Sequence, residues 1–162
     1  MKKISALFIF ILILASLSKA QTYSEINSED LNGNAISLAN LVEKGPVMIS
    51  FWATWCTPCK DEMKKMNDIY EKYKAQGFTF LAINQDDQKS VSKVKSYISA
   101  KNYNFPVILD TDKKIFEAYS GESMPYSLLI NKNKEIINKH NGYLPGDEVK
   151  VEEEIKALLN FK

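Results

Sequence analysis

Cys56 and Cys59 are the only cysteines in the chain, and they stand three residues apart between an apolar run and a helical pattern. No other feature constrains the fold as tightly. Val47-Met48-Ile49-Ser50-Phe51-Trp52 is apolar and β-rich, as a buried strand is, and Cys59, Met63, Met66, Tyr70 and Tyr73 then recur at helical spacing. A dithiol between strand and helix suits redox chemistry. Unpaired N–H groups in the first helical turn, together with the helix dipole, stabilise negative charge on Cys56, the more N-terminal sulfur. The thiolate is the reactive form, and thiols so placed ionise well below the free value of ~8.5, each pH unit being worth about 1.4 kcal/mol. Cys59, one turn further in, is then the expected resolving thiol. Pro58 suits the first turn, where its missing N–H costs nothing.

Other uses of two cysteines fail on counts. A structural zinc site needs four ligands, and the chain offers two cysteines and one distant His140; covalent haem attachment needs His after the second Cys, where Lys60 stands. No metal or cofactor is assigned. A purely structural disulfide would close a ring too short to constrain the unfolded chain much, so redox activity is the favoured reading.

The first twenty residues read as a secretory signal. Lys2 and Lys3 precede an apolar-rich run from Ile4 to Leu17, and Ser18-Lys19-Ala20 offers small residues at the two positions a signal peptidase inspects. Cleavage would leave Gln21 first and residues 21–162 as one domain. The apolar run is short for a membrane span, which favours cleavage over a retained anchor, and no cysteine follows the cut to take a lipid. Three of the 21 basic residues and none of the 20 acidic ones lie in this segment, so the remainder carries a net charge of −2. With that charge and no arginine anywhere in the chain, nucleic-acid binding has little support. In an oxidising compartment, keeping the pair reduced requires a dedicated electron donor.

Further along, Asn32-Gly33-Asn34 marks the turn of an opening hairpin, and Ser37 to Glu43 reads as a short helix. The strand at Val47–Trp52, a helix from Thr57 to about Ala75, and a strand at Phe78–Ile83 after Gly77 form a βαβ unit. Ser90 to Ala100 has helical spacing, Phe105 to Leu109 is extended, and Lys113 to Tyr119 is expected as a short helix. Tyr126 to Ile130 and Glu135 to His140 form a hairpin, followed by an amphipathic helix from Asp147 to Leu159. Asn84-Gln85-Asp86-Asp87 reads as a polar loop, Trp52 as core, and His140 as structural or surface.

Phe51-Trp52-Ala53-Thr54-Trp55-Cys56-Thr57-Pro58-Cys59-Lys60 resembles the active-site stretch of the thioredoxin superfamily. The exported start, Asn32-Gly33 followed by Ser37-Leu38-Ala39-Asn40-Leu41, and Phe105-Pro106-Val107-Ile108-Leu109-Asp110 resemble its TlpA/ResA-type extracytoplasmic branch. The resemblance implies an α/β thioredoxin fold: a central mixed sheet flanked by helices, an N-terminal hairpin, and an insertion at residues 85–119 after the central βαβ unit. It also implies a thiol-disulfide oxidoreductase that reduces protein disulfides, including those met in cytochrome c maturation. Its partners would be a disulfide-containing client protein and a membrane electron donor. Met124-Pro125 matches the family's cis-proline position, where the backbone meets client, and Trp55 falls on the client-facing surface beside Cys56. Gly121 and Ser123 depart from the branch's pattern in that loop.

Ser50 is the most consequential departure. Thioredoxins themselves carry a buried aspartate at this strand position to move the resolving thiol's proton, and serine cannot do this at neutral pH. Glu62, three residues after Cys59 on the flank of the apolar stripe, matches an acidic position in the TlpA/ResA branch, and burial there would raise its pKa toward a useful range. Other classes have less support. A peroxidase of the peroxiredoxin type is disfavoured by Ile49 where its proline belongs. A disulfide-forming oxidant is disfavoured because Thr57-Pro58 contains no histidine, and a non-catalytic binding module is the remaining alternative.

Overall fold

The computed structural model describes residues 23–160. The signal-segment expectation for residues 1–20 lies outside them. A two-stranded antiparallel hairpin, β1 (Asn27–Glu29) and β2 (Ala35–Ser37), opens the chain, with Gly33 at φ 83° in its turn. Helix α1 (Leu38–Lys44) follows directly, its first turn capped by the Ser37 side chain on the Asn40 N–H.

The main sheet has five strands, in the spatial order Val107–Leu109, Thr79–Asn84, Val47–Trp52, Tyr126–Ile130, Ile136–Asn141. Strands β3 (Val47–Trp52) and β4 (Thr79–Asn84) are parallel and joined by helix α2 (Thr57–Tyr73), the βαβ unit expected from the sequence. Gly77, at φ 100°, ends the 3₁₀ turn after α2, and a Cβ there would fall on the Lys44 carbonyl, so only glycine fits. The insertion contributes helix α3 (Val91–Lys101), edge strand β5 (Val107–Leu109), parallel to β4, and helix α4 (Lys114–Ala118). Strands β6 (Tyr126–Ile130) and β7 (Ile136–Asn141) add an antiparallel hairpin, and helix α5 (Asp147–Asn160) closes the fold.

Two differences from the sequence reading have simple causes. Strand β5 starts at Val107 rather than Phe105: Pro106 has no N–H to donate, and the Phe105 side chain is used in the core, edge-on to Phe80 at 4.8 Å. Residues Gln88–Ser90 form a separate 3₁₀ turn before α3, capped by the Asp87 side chain on the Ser90 N–H at 3.0 Å.

Alternation along the strands divides the core in two. Val47, Ile49 and Phe51 face a cluster with α1 and the α4 region, whereas Met48 and Trp52 face α2, α3 and α5. Ser50, two residues from each, shares the α2 side. In β6 the same alternation sends Leu128 and Ile130 to the first cluster and Leu129 to the second, leaving Ser127 on the α2 side as well.

Candidate active site

The chain leaves β3 at Trp52, turns through Ala53-Thr54-Trp55, and enters α2 with Cys56 as the N-cap. The turn closes with the Cys56 N–H donating to the Ala53 carbonyl at 3.0 Å. Cys56 Sγ in turn accepts the Cys59 N–H at 3.3 Å, so a sulfur does the work that a serine or aspartate side chain does at other helix starts. A thiolate there gains from that N–H and from the positive end of a 17-residue helix. Pro58 is the second residue of α2.

Cys56 and Cys59 form a disulfide, their Cα atoms 5.4 Å apart. Their environments differ. Cys56 keeps 6% of its surface in contact with solvent and Cys59 keeps none, so an incoming reactant meets the Cys56 sulfur first. Trp55 beside it is 65% exposed. The Met124–Pro125 peptide is cis, and Met124 packs against the cluster that contains both cysteines. Gly142 N–H donates to the Pro125 carbonyl at 2.8 Å, tying this loop to the chain after β7.

Glu62 lies inside the buried stripe of α2 with Cys59, Met63 and Met66, not on its flank, and is only 4% exposed. Its carboxylate spans two strands. Ser50 Oγ donates to Oε2 at 2.6 Å and Ser127 Oγ donates to Oε1 at 2.8 Å, from residues that face each other in the β3–β6 register. Burial raises its pKa to about 7, against the two serine hydrogen bonds that lower it, with nearby Asp147 adding to the rise. Ser50 therefore does not replace the acid; it hydrogen-bonds to one supplied by the helix.

Asn84-Gln85-Asp86 is not a solvated loop, because all three residues are buried. Asp86 receives the Thr54 N–H at 2.7 Å on one oxygen and the Thr54 hydroxyl at 2.6 Å on the other, while Asn84 Nδ2 donates at 2.8 Å. The turn that carries Trp55 and Cys56 is thereby fixed to the end of β4. Gln85 N–H holds the Trp52 carbonyl, and its side chain donates to Asp110, whose carboxylate also caps the backbone of Ile115 and Phe116. Polar residues crowded after the apolar run Phe80 to Ile83 are the available sequence signal; their burial is not visible there. His140 pairs through Nε2 with Glu154 of α5 at 3.0 Å, a structural tie. Among the described residues no cluster of three or more His, Cys, Asp or Glu could hold a metal ion, and no helix is long and apolar enough to cross a membrane.

Residues 19–139 match the profile of the AhpC/TSA family. The chain belongs to this family. Within it, the chain is 35% identical over 127 residues to the thiol-disulfide oxidoreductase ResA of Bacillus subtilis, covering 78% of this chain and 69% of that protein. It is 39% identical over 110 residues to ResA of Bacillus cereus, covering 68% and 62% respectively. The thioredoxin domain of a thiol-disulfide oxidoreductase from Bacteroides vulgatus superposes with a TM-score of 0.71 at 26% identity, covering 86% of this chain and 99% of that one. A thioredoxin-family thiol:disulfide interchange protein from Chlorobium tepidum superposes at 0.77 with 23% identity, over 88% and 99%, which bears on the fold alone. The fold of this AhpC/TSA member is that of thioredoxin, and its enzyme class is thiol-disulfide oxidoreductase.

Proposed function

We propose that this oxidoreductase reduces protein disulfides outside the cytoplasm, with Cys56 as attacking thiolate, Cys59 as resolving thiol and Glu62 as proton acceptor. The observation that carries the reading is the asymmetry of the dithiol: a Cys56 that keeps a small solvent-exposed surface at a helix N-terminus, a fully enclosed Cys59, and a buried carboxyl one turn further along α2. Cys56 thiolate attacks one sulfur of the client disulfide, and the client's other sulfur leaves as a thiolate that takes up a proton. Cys59 gives its proton to Glu62 and attacks Cys56 Sγ, which releases the second client thiol and forms the Cys56–Cys59 disulfide seen here. Two electrons pass to the client. A second dithiol must restore them, and a membrane partner drawing on the cytoplasm would supply it.

The sequence before residue 21 supports export, and the resemblance to the ResA branch supports apocytochrome disulfides as clients. Trp55, Met124 and Pro125 are assigned to the client-facing surface. Cys59→Ser should accumulate mixed disulfides with client on non-reducing gels, and Cys56→Ser should accumulate none. The opposite pattern would reverse the roles of the two thiols. Equilibration of the pair with glutathione or dithiothreitol fixes the direction: a potential near that of thioredoxin, about −270 mV, supports a reductant, and one near about −120 mV would make the protein an oxidant.

A further inference from the structure

We propose that Ser50 and Ser127 are positioning residues: a two-strand hydroxyl clamp that holds the Glu62 carboxylate under the active site and keeps it able to exist as an anion there. The inference rests on the reading of Glu62 as the proton acceptor and adds the residues that make the role possible. Glu62 is buried, and among the described residues it has no cationic partner, so its negative charge depends on neutral donors. The two serines supply one to each oxygen. Both are buried and occupy directly opposed positions on antiparallel strands, where Cβ atoms stand about 4.5–5.5 Å apart, a spacing suited to the two oxygens of one carboxylate.

The rest of the surroundings gives the anion little help. Asp147, at the start of α5, opposes the charge, and Tyr143 in the preceding loop interacts with it while its own hydroxyl donates to Glu148. Lys65 pairs with Glu148. His140 sits opposite Ser127 on β7 but is tied to Glu154. On its own helix Glu62 follows Cys56 and Cys59, which as a disulfide carry no charge to offset it. The hydroxyls are therefore the groups that favour the charged carboxylate, and they fix where it sits.

The test reads the carboxyl itself. Carbon-13 NMR of the oxidised full chain, labelled at glutamate side-chain carboxyls and assigned by the signal lost in Glu62→Gln, follows its titration in wild type, Ser50→Ala and Ser127→Ala. Each alanine should raise the midpoint by about one pH unit, a tenfold weaker acid, and Ser127→Thr, which retains the hydroxyl, should restore it. The pH profile of client-disulfide reduction should move up with it. Unmoved carboxyl midpoints in the alanine variants overturn the clamp whatever happens to activity. Shifted midpoints with an unmoved rate profile support the clamp and overturn instead the assignment of Glu62 to the thiols. The two alanine variants are read independently, so either one that folds decides the matter.

Discussion

Replacing Glu62 by glutamine should make the oxidised protein more stable, and the gain should grow with pH. The sign follows from the raised pKa. Between its ordinary value of 4.5 and about 7, the folded protein holds a proton on Glu62 that the unfolded chain has already lost. Stability of the wild type is therefore unpenalised below about pH 4.5 and is lost as pH rises through 7, with a slope approaching about 1.4 kcal/mol per pH unit. Across the window the loss amounts to about 3 kcal/mol. The glutamine side chain has no charge to bury and shows no such loss. Other titrating carboxyls, such as Glu152, whose pKa is held down by Lys72 and Tyr73, act with the opposite sign but equally in both proteins, so they cancel in the difference. Urea unfolding of wild type and Glu62→Gln with the disulfide intact, at intervals from about pH 4.5 to about 8, measures it. With a slope near about 2 kcal/mol per molar urea, the gap between midpoints should widen by about 1.5 M over that range. A gap that stays constant with pH would show that Glu62 titrates alike in both states, and burial could not then be what sets its pKa.

Asp86→Ala should cost about 2–4 kcal/mol in the same assay, because it orphans the buried Thr54 N–H and the Asn84 amide at once, and should slow client reduction by loosening the turn before Cys56. Full activity in a destabilised variant would show that the turn holds without it. Gly121→Ala should destabilise by about 1–3 kcal/mol, since a Cβ there overlaps the Phe116 ring, which itself packs on Phe51; an unchanged melting temperature would refute this. Trp55→Ala should leave stability within about 0.5 kcal/mol, the side chain being largely exposed, and raise KM for a protein client by several-fold; an unchanged KM removes Trp55 from the client surface.

The dithiol, its strand and its helix are legible in the sequence because they depend on short-range pattern: an unbroken apolar run, a helical stripe and a proline in the first turn. Glu62 is identifiable from its spacing after Cys59 together with the resemblance to the ResA branch, but its depth is not, because the groups that enclose it come from elsewhere in the chain. Ser127 lies 65 residues away and meets Glu62 only through the pairing of β6 with β3. A serine inside a strand reads locally as a polar interruption. Its purpose appears once register places Ser50 and Ser127 side by side beneath one carboxylate. Asp86 is hidden for the same reason: a polar cluster after a strand reads as a loop until Thr54 is brought against it.

The buried polar groups are not spread through the sheet. Val47 to Ile49, Phe80 to Ile83 and Leu128 to Ile130 are apolar, whereas Ser50, Ser127, Thr54, Asn84, Gln85, Asp86 and Asp110 gather toward the end of the sheet from which the Cys56 turn emerges. Each such group costs stability unless its partners are held in place, so a loose network there would be worse than an apolar one. Among the described residues Gln85 Oε1 has no partner, but the carboxylates of Asp86 and Asp110 are hydrogen-bonded, and the network restrains the turn from two sides. Asp86 grips Thr54 from just beyond the end of β4, and the Cys59 N–H holds the Cys56 sulfur from within α2. Thiol exchange is sensitive to the direction from which a sulfur can be approached, so fixing the backbone on both sides of Trp55 presents Cys56 in one orientation before any client arrives. The carboxyl of Glu62 belongs to a separate arrangement on the α2 face, dependent on β6 rather than on β4. On the proposed roles, orientation of the attacking Cys56 and acceptance of the Cys59 proton thus depend on different strands. Asp86→Ala and Ser127→Ala should accordingly be nearly additive in stability, within about 0.5 kcal/mol of the sum of the single changes by a double-mutant cycle in urea. A coupling above about 1 kcal/mol would mean that the two networks act as one.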